Sequence, residues 1–509
     1  MSTRLRAYLS SGGAVVVVAF VVYAWLAPSF IIDSDNAELA TLGTVGGVPH
    51  PPGYPLYMLW LRAMSWLPGT PAHAAALATA ILGAATLGVL HAACRAWGVR
   101  AGAATIAVAV FGAAPLVLRY SSEAEVFALN GLVVATILWL SARGAPLSGT
   151  ARVAVLAIVA GTGLSNHTTC VLVAPIGILG IVRGIRESSH RGRAVAAGVS
   201  ALVIGLIPYA YLVATGECSI SWAPIHDLDA LVGHSLRGDY GGPASFSPAG
   251  GNVEIGANLV ALVATLGRTW LWLPLAGGVA ALGYRIARPG DLESRWALVL
   301  LALSIVLAGP ILIGRFDIAP RGVGLYIVQR FHLLPALLLT IPVAVAFDLA
   351  GKRVADRPLV VTAASWIAFV GLAAATGASW QSPAYDRAMR GLVRSMPPDA
   401  VIIGNGDTLY YGLGYVQDAL GERPDVTYVQ ASATRHAWYR DRLHLDAETI
   451  PALADDVLSH GRPLFVTISM DDIIKDRPVY PYGLVLRVLP RTAQTPSVSE
   501  VFEINTKLF

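Results

Sequence analysis

The sequence predicts an α-helical polytopic membrane protein of about eleven spans that ends in a soluble α/β domain. Three observations carry this. Of 509 residues, 55% are hydrophobic and only 13% charged, against about 25% charged in soluble chains. Long apolar runs recur from residue 12 to residue 377, with arginines gathered in alternate connections. From about residue 378 charges become frequent and apolar runs shrink to strand length. The expected division is a transmembrane part, 1–377, and a soluble α/β domain, 378–509. The net charge of +4 is no nucleic-acid signal, because the arginines sit in short loops between apolar runs. Cys94, Cys170 and Cys218 show neither metal spacing nor a disulfide framework.

The apolar segments run over 12–32, 71–97, 101–118, 124–142, 152–165, 168–182, 195–214, 256–284, 296–314, 331–350 and 358–377. The first is long enough to span and lacks a clear cleavage site, so it reads as a retained helix. Residues 54–67 are too short to span and are expected along the outer surface. The stretch 152–182 reads as two short helices folded at Ser165-Asn166-His167-Thr168. Arg143 and Arg152 precede it and Arg183, Arg186, Arg191 and Arg193 follow, so both flanks want the cytoplasm. Arg4/Arg6, Arg95/Arg100, Arg285/Arg288/Arg295 and Lys352/Arg353/Arg357 then fall on the same side. The N-terminus is expected inside, and the 378–509 domain outside. There, 400–404, 426–429 and 463–468 read as strands and 409–420 as a helix. Asp407, ahead of that helix, reads best as its N-cap.

The candidate chemistry begins directly after the first span. Asp33, Asp35 and Glu38 lie within six positions, followed by Gly46-Gly47 and His50-Pro51-Pro52-Gly53-Tyr54-Pro55. Carboxylates at membrane depth are costly unless they line water or protein, which marks them as functional candidates. Asp33 or Ser34 also suits the cap of a helix starting near Asn36. Asp35 and Glu38 return to one side in such a helix, with Asp33 better placed to fix the loop. Further outer-facing groups are Glu123, Glu125 and Asp239, with Arg119, Arg237, Arg315, Arg321 and Arg330 as phosphate-binding candidates. His167 at the hairpin kink and His50 in the proline turn read either as ligands of a sugar or phosphate or as braced turn residues. No G-x-G-x-x-G or P-loop is present, so no nucleotide cofactor is indicated, and a divalent metal stays open.

Asp35-Asn36-Ala37-Glu38-Leu39 followed by His50-Pro51-Pro52-Gly53-Tyr54-Pro55-Leu56 resembles the first outer loop of polytopic proteins similar to protein O-mannosyltransferases, of the GT-C class of membrane glycosyltransferases. Further blocks are Glu123-Ala124-Glu125-Val126-Phe127, Gly163-Leu164-Ser165-Asn166-His167, Arg237-Gly238-Asp239-Tyr240-Gly241 and Gln329-Arg330-Phe331-His332-Leu333-Leu334-Pro335. Members of the family often carry Glu where Gln329 stands. The resemblance implies transfer of a sugar, mannose first among candidates, from a polyprenyl-phosphate donor to an acceptor hydroxyl on the outer face, with inversion. The implied acceptor is protein Ser/Thr; a lipid or cell-envelope glycan is the alternative, as is a non-enzymatic lipid-linked sugar transporter. Asp35 would be the general base with Glu38 supporting it. Asp33, His50, Tyr54, Glu125, His167, Arg237, Asp239 and Arg330 would shape the substrate pocket.

Overall fold

The computed structural model describes residues 3–242, 254–289, 293–351, 358–376, 381–447 and 449–508. The basic cluster Lys352, Arg353 and Arg357 lies outside the described residues.

Helix α1 (Thr3–Leu26) leads into α2 (Ser34–Val45), α3 (Pro55–Met64) and the long α4 (Pro71–Ala96). Asp33 caps α2, its carboxylate accepting from the Asn36 amide at 2.9 Å, a contact that contributes about 1 kcal/mol. Gly46 and Gly47, both at positive φ, then release the chain from the helix into the proline turn. The short α3 packs on α2 and α4 with Tyr57, Met58 and Leu61 buried.

Next come α5 (Ala101–Ala113), α6 (Pro115–Ser122), α7 (Phe127–Ser141) and α8 (Gly149–Leu164). Segment 101–118 is not straight: the chain turns by 70° between α5 and α6, because Pro115 removes a helical donor and holds Ala114 extended. The 152–182 stretch is two helices, as its flanking charges require. It breaks at Ser165–His167, passes through a 3₁₀ turn (Thr168–Val173) and continues as α9 (Ala174–Glu187). α10 (Arg191–Gly205) packs closely on α8 through small residues. A Cβ on Gly161 would lie 2.5 Å from the Leu202 carbonyl oxygen and 2.9 Å from the Gly205 Cα. In a bilayer such small-residue seams supply the close packing that drives helix association.

After α11 (Ala210–Ala214) and α12 (Leu228–Ser235), the expected single segment 256–284 is instead two helices, α13 (Ile255–Trp270) and α14 (Leu273–Ala287), crossing at 101°. Leu271 takes a left-handed conformation and Pro274 opens α14, so the helix cannot run through. α15 (Arg295–Val306) widens into a π turn at Leu307–Ile311 around Pro310 before α16 (Leu312–Gly314). α17 (Val323–Gln329), α18 (Leu333–Leu338), α19 (Thr340–Ala350) and α20 (Pro358–Thr376) complete the bundle.

Four helices are long and apolar enough to cross a membrane, and seven spans result if each bent pair is counted as one, among the described residues. The connections sort to two ends. At one end Gly144 donates to the Ala96 carbonyl, Arg143 and Arg183 converge on Glu293, and Arg100 pairs with Asp348. At the other end sit Asp33, Asp35, Glu125, Tyr326 and Arg330.

The C-terminal part begins with α21 (Ala384–Ser395). It builds a five-stranded sheet in the order β2-β1-β3-β5-β4, from β1 (Val401–Gly404), β2 (Thr427–Gln430), β3 (Leu464–Val466), β4 (Val479–Tyr482) and β5 (Val485–Val488). β1 pairs parallel with β2 and β3; β5 pairs antiparallel with β3 and β4. α22 (Asp407–Gly414) follows β1. The expected helix over 409–420 thus starts earlier and ends as a π turn, Tyr415–Ala419. One apolar cluster joins Ile31, Leu39, Tyr57 and Met58 to the sheet residues Ile402, Ile403, Phe465 and Val466. The C-terminal part therefore packs onto α2 through α22 and the π turn that ends it.

Candidate active site

A cavity of about 640 Å³ opens where α2, the proline turn, the 123–126 loop, the His167 kink, α17 and α22 meet. Its lining combines polar side chains, Asp35, His50, Tyr54, Glu125, Arg237, Arg315, Arg330 and Asp407, with apolar ones, Val171, Leu172, Leu307, Ile311, Leu312 and Ile318.

Arg330 joins two of the lining carboxylates. Its Nη1 donates to Asp35 Oδ2 and, at 3.0 Å, to Glu125 Oε1; its Nε donates to the Ile327 carbonyl at 3.3 Å. Its Nη2 makes no hydrogen bond among the described residues. Burial alone would raise the Asp35 carboxyl, but Arg330, and then His50, hold it below the usual carboxylate range. Asp35 also sits in the first turn of α2, where the helix dipole favours a negative charge.

Glu38 is fully buried and does not line the cavity. Its Oε1 accepts from the His50 amide at 2.8 Å and its Oε2 from His50 Nδ1. Burial alone would lower the His50 imidazole, but Glu38 first, with Asp35 and Asp407 behind it, raises it to about 9. The imidazolium Nε2 then donates to the Tyr54 hydroxyl at 3.1 Å. Tyr54, left-handed at φ 44°, stacks on His167 with ring centroids 5.9 Å apart. His167 is also walled by Phe127 and Phe331, and its Nδ1 accepts from the Thr169 hydroxyl at 2.8 Å. Burial and the nearby Arg237 and Arg330 lower it to about 3, so it is a neutral ring. Asp33 does not line the cavity; it caps α2 and accepts from the hydroxyl of Tyr326, which does. Asp239 is exposed and takes the Trp222 indole N–H at 2.8 Å, off the cavity wall. Glu123 pairs with Arg119 at 2.9 Å, and Arg321 with Glu254 at 3.4 Å.

Asp407 is not the expected N-cap. Gly406 holds that position and no side chain caps the helix. The carboxylate of Asp407 faces the cavity instead, beside Thr408 and Tyr411. Tyr326, Tyr240 and Tyr411 were also missed; no sequence spacing marks a tyrosine brought in from a distant helix. Among the described residues no three His, Cys, Asp or Glu side chains converge as metal ligands.

Residues 35–189 match the family described as the protein O-mannosyl-transferase TMEM260 N-terminal domain. No curated protein matches the chain. Among solved structures, the chain is similar to ArnT from Cupriavidus metallidurans bound to undecaprenyl phosphate, at 14% identity and TM-score 0.58, over 96% of this chain and 100% of that one. It is likewise similar to ArnT in the apo state, at 14% identity and TM-score 0.53, over 95% and 98%. At such identity the likeness is one of fold. Fold and family match together make this chain a multi-pass membrane glycosyltransferase of the GT-C fold, similar to the protein O-mannosyltransferases.

Proposed function

We propose that the chain transfers a sugar, mannose in the first instance, from a polyprenyl-phosphate donor to a protein Ser or Thr hydroxyl, with inversion. The observation that carries the reading is Arg330, which holds Asp35 and Glu125 with one nitrogen in a cavity lined by charged and by apolar side chains. The apolar lining residues suit a polyprenyl tail. The arginines of the lining suit its phosphate, and the ArnT structure with undecaprenyl phosphate supports a donor of that class.

The donor phosphate takes the free Nη2 of Arg330, with Arg237 and Arg315 behind it. Drawing Arg330 toward the phosphate loosens its hold on Asp35 and raises the basicity of that carboxylate. The acceptor hydroxyl gives its proton to Asp35 and its oxygen bonds to the anomeric carbon. The bond from that carbon to the phosphate oxygen breaks, its electron pair leaving on polyprenyl phosphate, whose new charge the arginines stabilise. Glu38 acts through His50, fixing the turn that shapes the cavity. The unit 1–377 is taken to cross the membrane eleven times from a cytoplasmic N-terminus, with 378–509 as a soluble outer domain.

The test is to compare transfer rates of Asp33→Asn, Asp35→Asn and Glu38→Gln. Asp35→Asn keeps size but removes basicity, so a loss of roughly 10²–10⁴-fold is expected with donor binding retained. A near-normal Asp35→Asn beside a dead Asp33→Asn would move the base two residues upstream.

A further inference from the structure

The C-terminal part sends one helix into the cavity. α22 packs along α2, the helix that carries Asp35. Small residues let its other faces pack closely too: a Cβ on Gly414 would meet the Ile220 side chain at 2.1 Å, and one on Gly412 the Met389 side chain of α21 at 2.6 Å. Tyr410 anchors the helix by donating to the Ser219 carbonyl at 3.1 Å. Asp407 and Tyr411, one turn apart, share the face that lines the cavity.

Both side chains lack partners there. Asp407 makes no hydrogen bond or ion pair among the described residues. Tyr411 is only 2% exposed as a residue, and its phenol, on the cavity lining, makes no hydrogen bond among them and is open to a ligand there. Of the other charges there, Asp35 and Glu125 share Arg330 and His50 pairs with Glu38, while Arg237 and Arg315, like Asp407, form no ion pair among the described residues. Asp407 is thus the one carboxylate lining the cavity with no ion-pair partner among the described residues.

Given the transferase reading above, on which this rests, we propose that Asp407 and Tyr411 form the acceptor subsite and select hydroxyl-bearing polypeptide with basic residues beside the reacting hydroxyl. The phosphate of the donor needs the arginines, which leaves this carboxylate and phenol for the acceptor. Tyr411 would donate to a peptide carbonyl, and Asp407 would accept from an amide or a Lys or Arg side chain. An acidic flank would meet repulsion.

The experiment uses the purified full chain, polyprenyl-phosphate mannose and two short peptides, each with one Ser, flanked by Lys in one and by Glu in the other. The Lys-flanked peptide is expected to have a roughly tenfold lower KM. Asp407→Asn should shrink that preference toward unity while donor KM shifts less than about twofold, and Asp407→Lys should reverse it. Tyr411→Phe should raise KM for both peptides several-fold. An unchanged preference in Asp407→Asn, or equal shifts in donor and acceptor KM, overturns the proposal. Donor hydrolysis by the wild-type chain with no peptide labelled overturns the polypeptide subsite alone. A donor left untouched overturns the transferase reading, and this inference falls with it.

Discussion

Arg330 makes three kinds of contact that a lysine cannot reproduce at once, because the guanidinium is a fixed fork and the ammonium a point charge. Arg330→Ala is expected to raise donor KM roughly 10–100-fold, whereas Arg285→Ala, in α14 and off the cavity wall, leaves it near wild type. Donor titrations check this, and equal losses would remove Arg330 from the donor site. His50 supplies a pH dependence. Its folded pKa of about 9 lies above its ordinary 6.5, so the stability it adds is complete below about pH 6.5 and lost as pH rises through about 9. Melting temperatures measured across that window should fall toward alkaline pH for the wild type, and His50→Gln should flatten this limb. Asp35 was legible in the sequence because a carboxylate at a membrane edge has few structural excuses. The Glu38–His50 pair was only half legible. The two residues stand twelve apart across a glycine–proline turn, and no local rule says which acid the ring will meet. Asp407 was misread because a capping residue and a cavity-facing carboxylate look alike after a strand.

The elements followed their apolar runs, and the failures occur where the backbone leaves the regular path. Pro115 and Pro274 were visible in the sequence, but hydropathy alone cannot tell a kinked span from a right-angle turn such as the one between α13 and α14. The hairpin β4–β5 escaped notice because Pro481 and half-exposed positions break the alternation that marks a strand. The hairpin at His167 was legible from charge: arginines on both flanks require the chain to return to the side it left. The α8–α10 seam sets an expectation at this scale. Gly161→Val would force side-chain atoms into the backbone of Leu202 and Gly205, a strain of about 1–3 kcal/mol. Thermal unfolding of the purified variant in detergent should show a lowered midpoint, and an unchanged midpoint would mean the seam can open without cost.

At the scale of the whole molecule, the two ends of the bundle differ in kind. One end carries arginine–acid pairs in short loops; the other carries the cavity, which α22 of the C-terminal part helps to line. If the arginine-rich loops face the cytoplasm, a cysteine placed at the exposed Ser382 should react with an impermeant thiol reagent in intact cells; reaction only after the membrane is opened would reverse the orientation. The central claim is sugar transfer from a lipid phosphate, and one measurement tests it most directly. The purified chain is incubated with radiolabelled polyprenyl-phosphate mannose and a Ser/Thr acceptor, and both the label and its anomeric configuration are followed. The account requires label on the acceptor with the configuration inverted, and its loss in Asp35→Asn. Label that stays on the lipid, or that moves equally well in Asp35→Asn, would contradict it.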